Sequence, residues 1–390
     1  MSGKRASLTL SLITSAAVAI ALAGCSSGHS KPKARPHRVP PPDSAIQLSP
    51  GAQPIQPNVP VVVWASHGKL SSVTMTAADG RPVAGALSAD KRAWTSTQPL
   101  GYGASYTVNA SGTGNDGAMR QTFTVNTARP HTTTDIDVFP DGHDLTSVGV
   151  GQPIKVTFDE KVTNRAAAER ALRVITDPPV AGAWHWYSSH EVHWRPMAYW
   201  PAGTKVTLDA KLFGVDLGNG VFGKKDRTVS FGIHDAWVAK ADGNSHHMQI
   251  FQNGNLVKDM PISMGKPKYP TQEGPHVVQK KYRVKIMDSR TWGLALDAGG
   301  YRVPVEWATR ISGDGEFVHS APWSVDEQGH SNVSHGCINV SPSNAIWFYN
   351  TFSPGDIVEV ANTGRHYEDS AWDDWSMPWE QWLKGSALTT

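Results

Sequence analysis

The sequence predicts a mainly β chain: two tandem immunoglobulin-like β-sandwiches, then a third β-rich domain with one short helix, then a tryptophan-rich C-terminal segment. Three observations carry this. Only 18% of the 390 residues are charged, while Gly (36), Pro (27) and Trp (15) are plentiful, a mix that suits strands and turns better than helical bundles. Short alternating apolar runs recur at roughly ten-residue intervals, each bounded by Gly, Asp or Asn. And the segment starting at Trp94, "WTSTQPLGYGASYTVNA", is echoed at Trp194 by "WRPMAYWPAGTKVTLDA". The length allows two or three domains. A net charge of +2 gives no electrostatic case for nucleic acid.

Residues 1–25 have the layout of a secretory signal: Lys4 and Arg5, an apolar run from Leu8 to Ala23, then small residues and Cys25. The ending Leu22-Ala23-Gly24-Cys25 resembles a bacterial lipobox, which implies lipidation of Cys25, export and a membrane anchor facing the cell wall. The rival is an uncleaved anchor, for which the run is short against the roughly 20 residues a span needs. Residues 26–58 are rich in proline and small polar residues and read as an extended linker. Its basic residues Lys31, Lys33, Arg35 and Arg38 suit a solvated tether or contact with anionic headgroups.

The first sandwich is expected over 59–127 and the second over 128–235. Trp94/Trp194, Gly103/Gly203, Thr107/Thr207 and Ala110/Ala210 fall at matched offsets, read as a shared strand–turn–strand hairpin. His185, His190 and His193 invite a metal reading, but residues three apart in a strand face opposite ways, so ordinary histidines are favoured. The third domain is expected over 236–363. It opens with a hairpin turning at Asn253-Gly254 and holds one good helix, "SPSNAIWFYNTF", capped by Ser341 or Ser343 with Pro342 in its first turn. In the tail, 364–390, Trp372, Trp375, Trp379 and Trp382 repeat at helical spacing. Pro378 favours a second short helix starting near Ser376, with the stripe packing on the third domain.

The chain has two cysteines. With Cys25 lipidated, Cys337 has no partner in its own chain, and a leftover thiol in an exported protein is intermolecular, reactive, or a small buried hydrophobe. Its surroundings favour reactivity. A nucleophilic cysteine needs a base, a group that orients the base, and donors for an oxyanion. The stretch 317–339 offers His319, His335, and the successive amides around Gly336 and Cys337. Spacing alone does not choose between the two histidines.

The segment "HSAPWSVDEQGHSNVSHGCIN" resembles the signature of the L,D-transpeptidases with the YkuD-type catalytic domain. The likeness extends through "SMGK", "GYRVPVEWAT" and "NVSPSNAIWFYN" into the tail. The two sandwiches and the lipobox are similar to the mycobacterial and actinobacterial members. The resemblance implies Cys337 as nucleophile, His319 as general base and the Ser320 carbonyl as the group orienting it. It implies His335, Gly336 and Cys337 as oxyanion donors, and Tyr301, Met287, Trp292, Trp323, Ser334 and Asn339 as substrate-cleft residues. Residues 288–302 correspond to a mobile lid, slightly short, with Trp292 where relatives often have Tyr. The implied reaction forms 3→3 peptidoglycan cross-links through a cysteine thioester. D-Ala leaves a tetrapeptide stem, and an acceptor stem takes the acyl group. No cofactor is implied, and carbapenem β-lactams are the implied inhibitors. Three rivals stand beside this: an L,D-carboxypeptidase using the same site, a non-catalytic wall-anchored scaffold, and a zinc site built from Cys337, His319 and His335, which lacks the paired spacing of zinc motifs.

Overall fold

The computed structural model describes residues 45–366 and 374–388. Cys25, its signal segment and Trp372 lie outside the described residues.

The first sandwich packs two four-stranded sheets. One runs Ile46–Ser49, Val62–Ala65, Ala93–Ser96, Gly85–Leu87; the other runs Pro82–Val83, Lys69–Ala77, Ser105–Gly114, Gly117–Asn126. Strand Ser105–Gly114 buries every second residue through Tyr106, Val108 and Ala110, the period-two pattern of a strand with one face on a core. The sandwich begins earlier than the sequence suggests. Ile46–Ser49 pairs with Val62–Ala65, Ile55 bridges to Thr127, and both isoleucines are buried. The sandwich therefore takes in residues from Ile46 onward that the sequence assigns to a linker reaching residue 58. The few apolar residues of that segment, too sparse for a core of their own, complete an existing one.

The second sandwich pairs Ile136–Phe139, Ile154–Phe158, Glu191–Pro196 and Gly182–Trp186 in one sheet, and Ser147–Val148, Arg227–Ile233, Lys205–Ala210 and Leu172–Asp177 in the other. The repeat is real but is no hairpin. Trp94 lies in one sheet and Thr107 in the facing one, as do Trp194 and Thr207. The glycine turn between them, with positive φ at Gly103 and Gly203, carries the chain across the sandwich. In each copy the tryptophan ring covers a glycine on the neighbouring strand, Gly85 for Trp94 and Gly182 for Trp194.

The third domain has a five-stranded sheet in the order Asn255–Pro261, His247–Gln252, Trp237–Asp242, Ile357–Ala361, Gly274–Val277, and a four-stranded sheet in the order Lys280–Asp288, Arg302–Arg310, Phe317–Ser320, Ile338–Val340. Asn253 and Gly254 both take positive φ, as a two-residue turn requires. The helix Pro342–Thr351 is capped by the Ser341 side chain, which accepts from the Asn344 amide. It buries Ala345 and Phe348 in the core formed by Ile250, Met264, Val318, Ile338 and Val358. Among the described residues no helix is long and apolar enough to cross a membrane.

The tail lands on the second sandwich, not on the third domain as expected. The short helix Trp379–Leu383 follows Pro378. Trp382 is fully buried and donates its indole N–H to the Ala183 carbonyl. The buried Arg195 guanidinium sits 4.8, 5.3 and 4.4 Å from the rings of Trp375, Trp379 and Trp382, where three π faces offset its desolvation. His193, flanked by Asp374 and Glu191 at 2.8 Å each, and His185, bonded to the Trp382 carbonyl, belong to this joint. The amphipathic stripe told that the tail packs. The polar groups of the sandwich strand Glu191–Pro196 decide where.

Candidate active site

Strands Phe317–Ser320 and Ile338–Val340 run parallel with His319 opposite Asn339. Side chains in register share a face, and residues two apart share it too. So Cys337, one step before its strand, and His319 point to the same side of the sheet. There they line a cleft of about 520 Å³ with Met287, Tyr301, Trp323, Ser334, His335 and Asn339. Of the cleft residues expected from the sequence, only Trp292 lies elsewhere. It lines a smaller adjoining cleft that also touches Met287 and Tyr301, and it meets Tyr269 edge-on at 5.7 Å. Trp292 ends the 3-10 turn Ser289–Trp292, and the segment expected to form a lid continues through Leu296–Ala298 with left-handed glycines at Gly293 and Gly299.

His319 is buried, and its Nδ1 lies 2.9 Å from the Ser320 carbonyl oxygen. A carbonyl only accepts, so Nδ1 carries the proton and Nε2 is left as the free base. Burial depresses this imidazole to about 4, against a smaller opposing effect of the Ser320 bond; at neutral pH it is uncharged. Burial likewise pushes the Cys337 thiol up to about 12, with the Phe317 amide lowering it and the Glu316 carboxylate raising it. The resting site is a neutral thiol beside a neutral imidazole. Cys337 Sγ sits 4.0 Å from the Gly315 carbonyl oxygen, and among the described residues no hydrogen bond joins it to His319.

The turn carrying Cys337 is held from below. Ser334 Oγ donates to the Cys337 carbonyl at 2.6 Å and accepts from the Gly336 amide at 3.1 Å. The Gly336 amide, expected to serve an oxyanion, is therefore committed to Ser334. Gly336 takes φ +124°, a conformation that favours glycine. Its carbonyl accepts from Thr271 Oγ1. Asn339 is buried and donates to Ser324 Oγ, so it braces the floor of the cleft. His335 receives a bond from Lys266 Nζ at 3.1 Å, and burial together with Lys266 and Lys268 lowers its basicity. Thr271, Lys266 and Glu316 were not singled out in the sequence; they arrive from other loops, and no local pattern marks them. Among the described residues no group of three or more His, Cys, Asp or Glu side chains has a metal-holding arrangement.

Residues 236–360 match the model of the L,D-transpeptidase catalytic domain, and residues 52–216 match that of a bacterial Ig domain. The chain is 45% identical to L,D-transpeptidase 2 of Mycobacterium tuberculosis (strain CDC 1551 / Oshkosh) over 349 residues, 89% of this chain and 85% of the relative. The chain belongs to the L,D-transpeptidase family. A second member, L,D-transpeptidase 5 of Mycobacterium tuberculosis (strain ATCC 25618 / H37Rv), is 38% identical over 90% of this chain and 78% of its own length. Among solved structures, an LD transpeptidase in complex with imipenem is 39% identical, with TM-score 0.51, over 58% of this chain and 97% of its own. L,D-transpeptidase 3 from Mycobacterium tuberculosis in complex with a faropenem-derived adduct is 35% identical, with TM-score 0.50, over 58% and 97%. The bacterial Ig match covers most of both sandwiches, each of which has its own core.

Proposed function

We propose that this L,D-transpeptidase forms 3→3 cross-links through a thioester on Cys337. The observation that carries the reading is the shared face of His319 and Cys337, with the imidazole's Nδ1 proton tied to the Ser320 carbonyl. A rotation of the cysteine side chain brings Sγ from Gly315 toward His319 Nε2. The imidazole takes the thiol proton as sulfur attacks the carbonyl at the L-centre of diaminopimelate in a tetrapeptide stem. The amides of His335 and Cys337 receive the oxyanion, since that of Gly336 is engaged by Ser334. The C–N bond breaks, His319 returns its proton to the departing D-Ala amine, and the acyl group stays on sulfur. An acceptor stem amine then attacks the thioester, loses a proton to His319, and Sγ leaves as the thiol. No step calls on a cofactor. Carbapenem β-lactams fit the same chemistry by offering a strained carbonyl to Cys337, and the relatives solved with imipenem and a faropenem-derived adduct support this.

Lipidation at Cys25, with the enzyme anchored outside the membrane, follows from the Leu-Ala-Gly-Cys sequence. Cys25→Ser is expected to release the protein from the membrane fraction; a wild-type protein that is already soluble with an unmodified N-terminus contradicts the anchor. The cross-linking reading is tested by incubating the enzyme with a disaccharide-tetrapeptide and reading products by mass spectrometry. Cross-linked dimers with release of D-Ala are expected. Tripeptide monomers alone assign the carboxypeptidase reaction, and no product at all leaves the scaffold.

A further inference from the structure

A buried acid stands behind the reactive turn, and the reaction as derived does not use it. Glu316 immediately precedes strand Phe317–Ser320. It therefore faces away from the cleft that receives Cys337 and His319. Its Oε1 accepts from the Gln272 amide at 3.0 Å and lies 3.6 Å from where a Cβ on Gly336 would stand. Its Oε2 is buried with no hydrogen-bond partner among the described residues and lies 3.9 Å from His276 Nδ1. Gln272 follows Thr271, whose hydroxyl holds the Gly336 carbonyl. The carboxyl and the Cys337 thiol thus flank one short stretch of backbone: Sγ meets the Gly315 carbonyl and the Phe317 amide, and Glu316 lies between those two residues.

We infer that Glu316 is a positioning residue that braces the Cys337 turn from beneath and is carried protonated when the thiolate forms, so that the site holds one negative charge at a time. This rests on Cys337 being the nucleophile. Burial raises the Glu316 carboxyl to about 7, so it changes charge in the physiological range. The groups facing it do not cancel that change. Arg365, the Gln272 amide and the Ser312 hydroxyl favour the carboxylate, while Asp314 opposes it. His276, at about 4 through burial, is neutral. Arg310 is turned to the Ser312 and Gly313 carbonyls. Once ionised, the carboxylate opposes the thiolate, as like charges in one poorly solvated site do.

The test is alkylation of Cys337 by iodoacetamide in the full chain, measured against pH and read on the Cys337 peptide by mass spectrometry, so that Cys25 does not contribute. Alkylation reports thiolate alone and needs no transpeptidase activity, so a failure of the cross-linking reading leaves this result intact. Glu316→Gln keeps an acceptor for Gln272 and removes the charge. Its alkylation rate is expected to match wild type at acid pH and to exceed it by about tenfold above neutrality, the effect of one unit in thiol pKa. A folded Glu316→Gln with the wild-type pH profile, or one slowed equally at every pH, overturns the inference. Should the variant fail to fold, carbon NMR of the wild-type chain decides. The Cys337 Cβ is expected to show a small step as the Glu316 carboxyl ionises near neutrality, ahead of the thiol's own titration at higher pH, and a Cβ that does not respond as Glu316 ionises overturns it.

Discussion

His319 carries a short, directed set of constraints: a strand that fixes its face, one carbonyl that fixes its tautomer, and burial that keeps it neutral. Because its folded-state value of about 4 lies below the ordinary histidine value of 6.5, it stays neutral across the neutral range, as the proposed base requires, and becomes protonated only in acid. Acylation of Cys337 is therefore expected to keep its His319 dependence down to about pH 5 and to collapse as pH falls through about 4, checked by single-turnover rates with a β-lactam. An acid limb centred at 6.5 contradicts the buried base. The same depression makes neutral His319 favourable to folding above 6.5, a contribution lost as pH falls toward about 4. The segment holding Cys337, Gly336 and both histidines was singled out in the sequence because those residue types crowd one short stretch, while the choice of His319 over His335 came from the family resemblance and not from spacing. Glu316, Gln272 and Thr271 were not, since "GEFVH" and "TQEG" carry no local sign of burial. The competition of Ser334 for the Gly336 amide is likewise a matter of turn geometry that spacing cannot supply.

Strands were read well wherever apolar residues alternate, as in Ser105–Gly114, and the helix Pro342–Thr351 was found from its serine cap and early proline. Ile46–Ser49 was missed because proline-rich flanks mask four residues that pair only with a distant strand. The arch from Trp94 to Thr107 was misread as a hairpin because a glycine turn fixes a reversal, while the partner sheet fixes which neighbour each strand finds. The tail's tryptophans were read as packing residues, and Arg195 chose their side. Trp382→Ala removes a fully buried tail ring and exposes the Arg195 guanidinium on that face. A loss of about 3–5 kcal/mol is expected from such a truncation, read as a fall in the denaturant midpoint. A change under about 0.5 kcal/mol, the range of ordinary surface substitutions, contradicts the clamp.

The two sandwiches are joined to the rest of the molecule differently. The second is continuous with the catalytic domain. The Gly149 and Gly151 amides donate to the Pro354 and Gly355 carbonyls at 2.9 and 2.8 Å, Val277 and Ile357 enter the sandwich core, and Trp375 donates to the Gly151 carbonyl. The first is pinned to the second chiefly by Tyr102. Its hydroxyl bonds the Gly223 carbonyl and the Gly214 amide, and its ring meets Phe213 and Phe222. Neither sandwich contributes to the main cleft. A chain starting near residue 128 is expected to keep its acylation rate in solution. One starting near residue 236 is expected to lose soluble yield, because Ile357, Val277 and Trp382 lose their cover. Full activity in the shorter chain contradicts the fused interface, and loss of acylation in a folded longer chain contradicts a spacer role for the first sandwich.

The central claim is that Cys337, deprotonated by His319, is the atom that takes the acyl group. Intact-mass measurement after incubation with a carbapenem tests it most directly. Wild type is expected to gain one drug per chain, Cys337→Ala none, and His319→Gln the same adduct formed ~10²–10⁴-fold more slowly, the usual worth of general-base help. An adduct that persists in Cys337→Ala, or a His319→Gln rate equal to wild type, contradicts the claim.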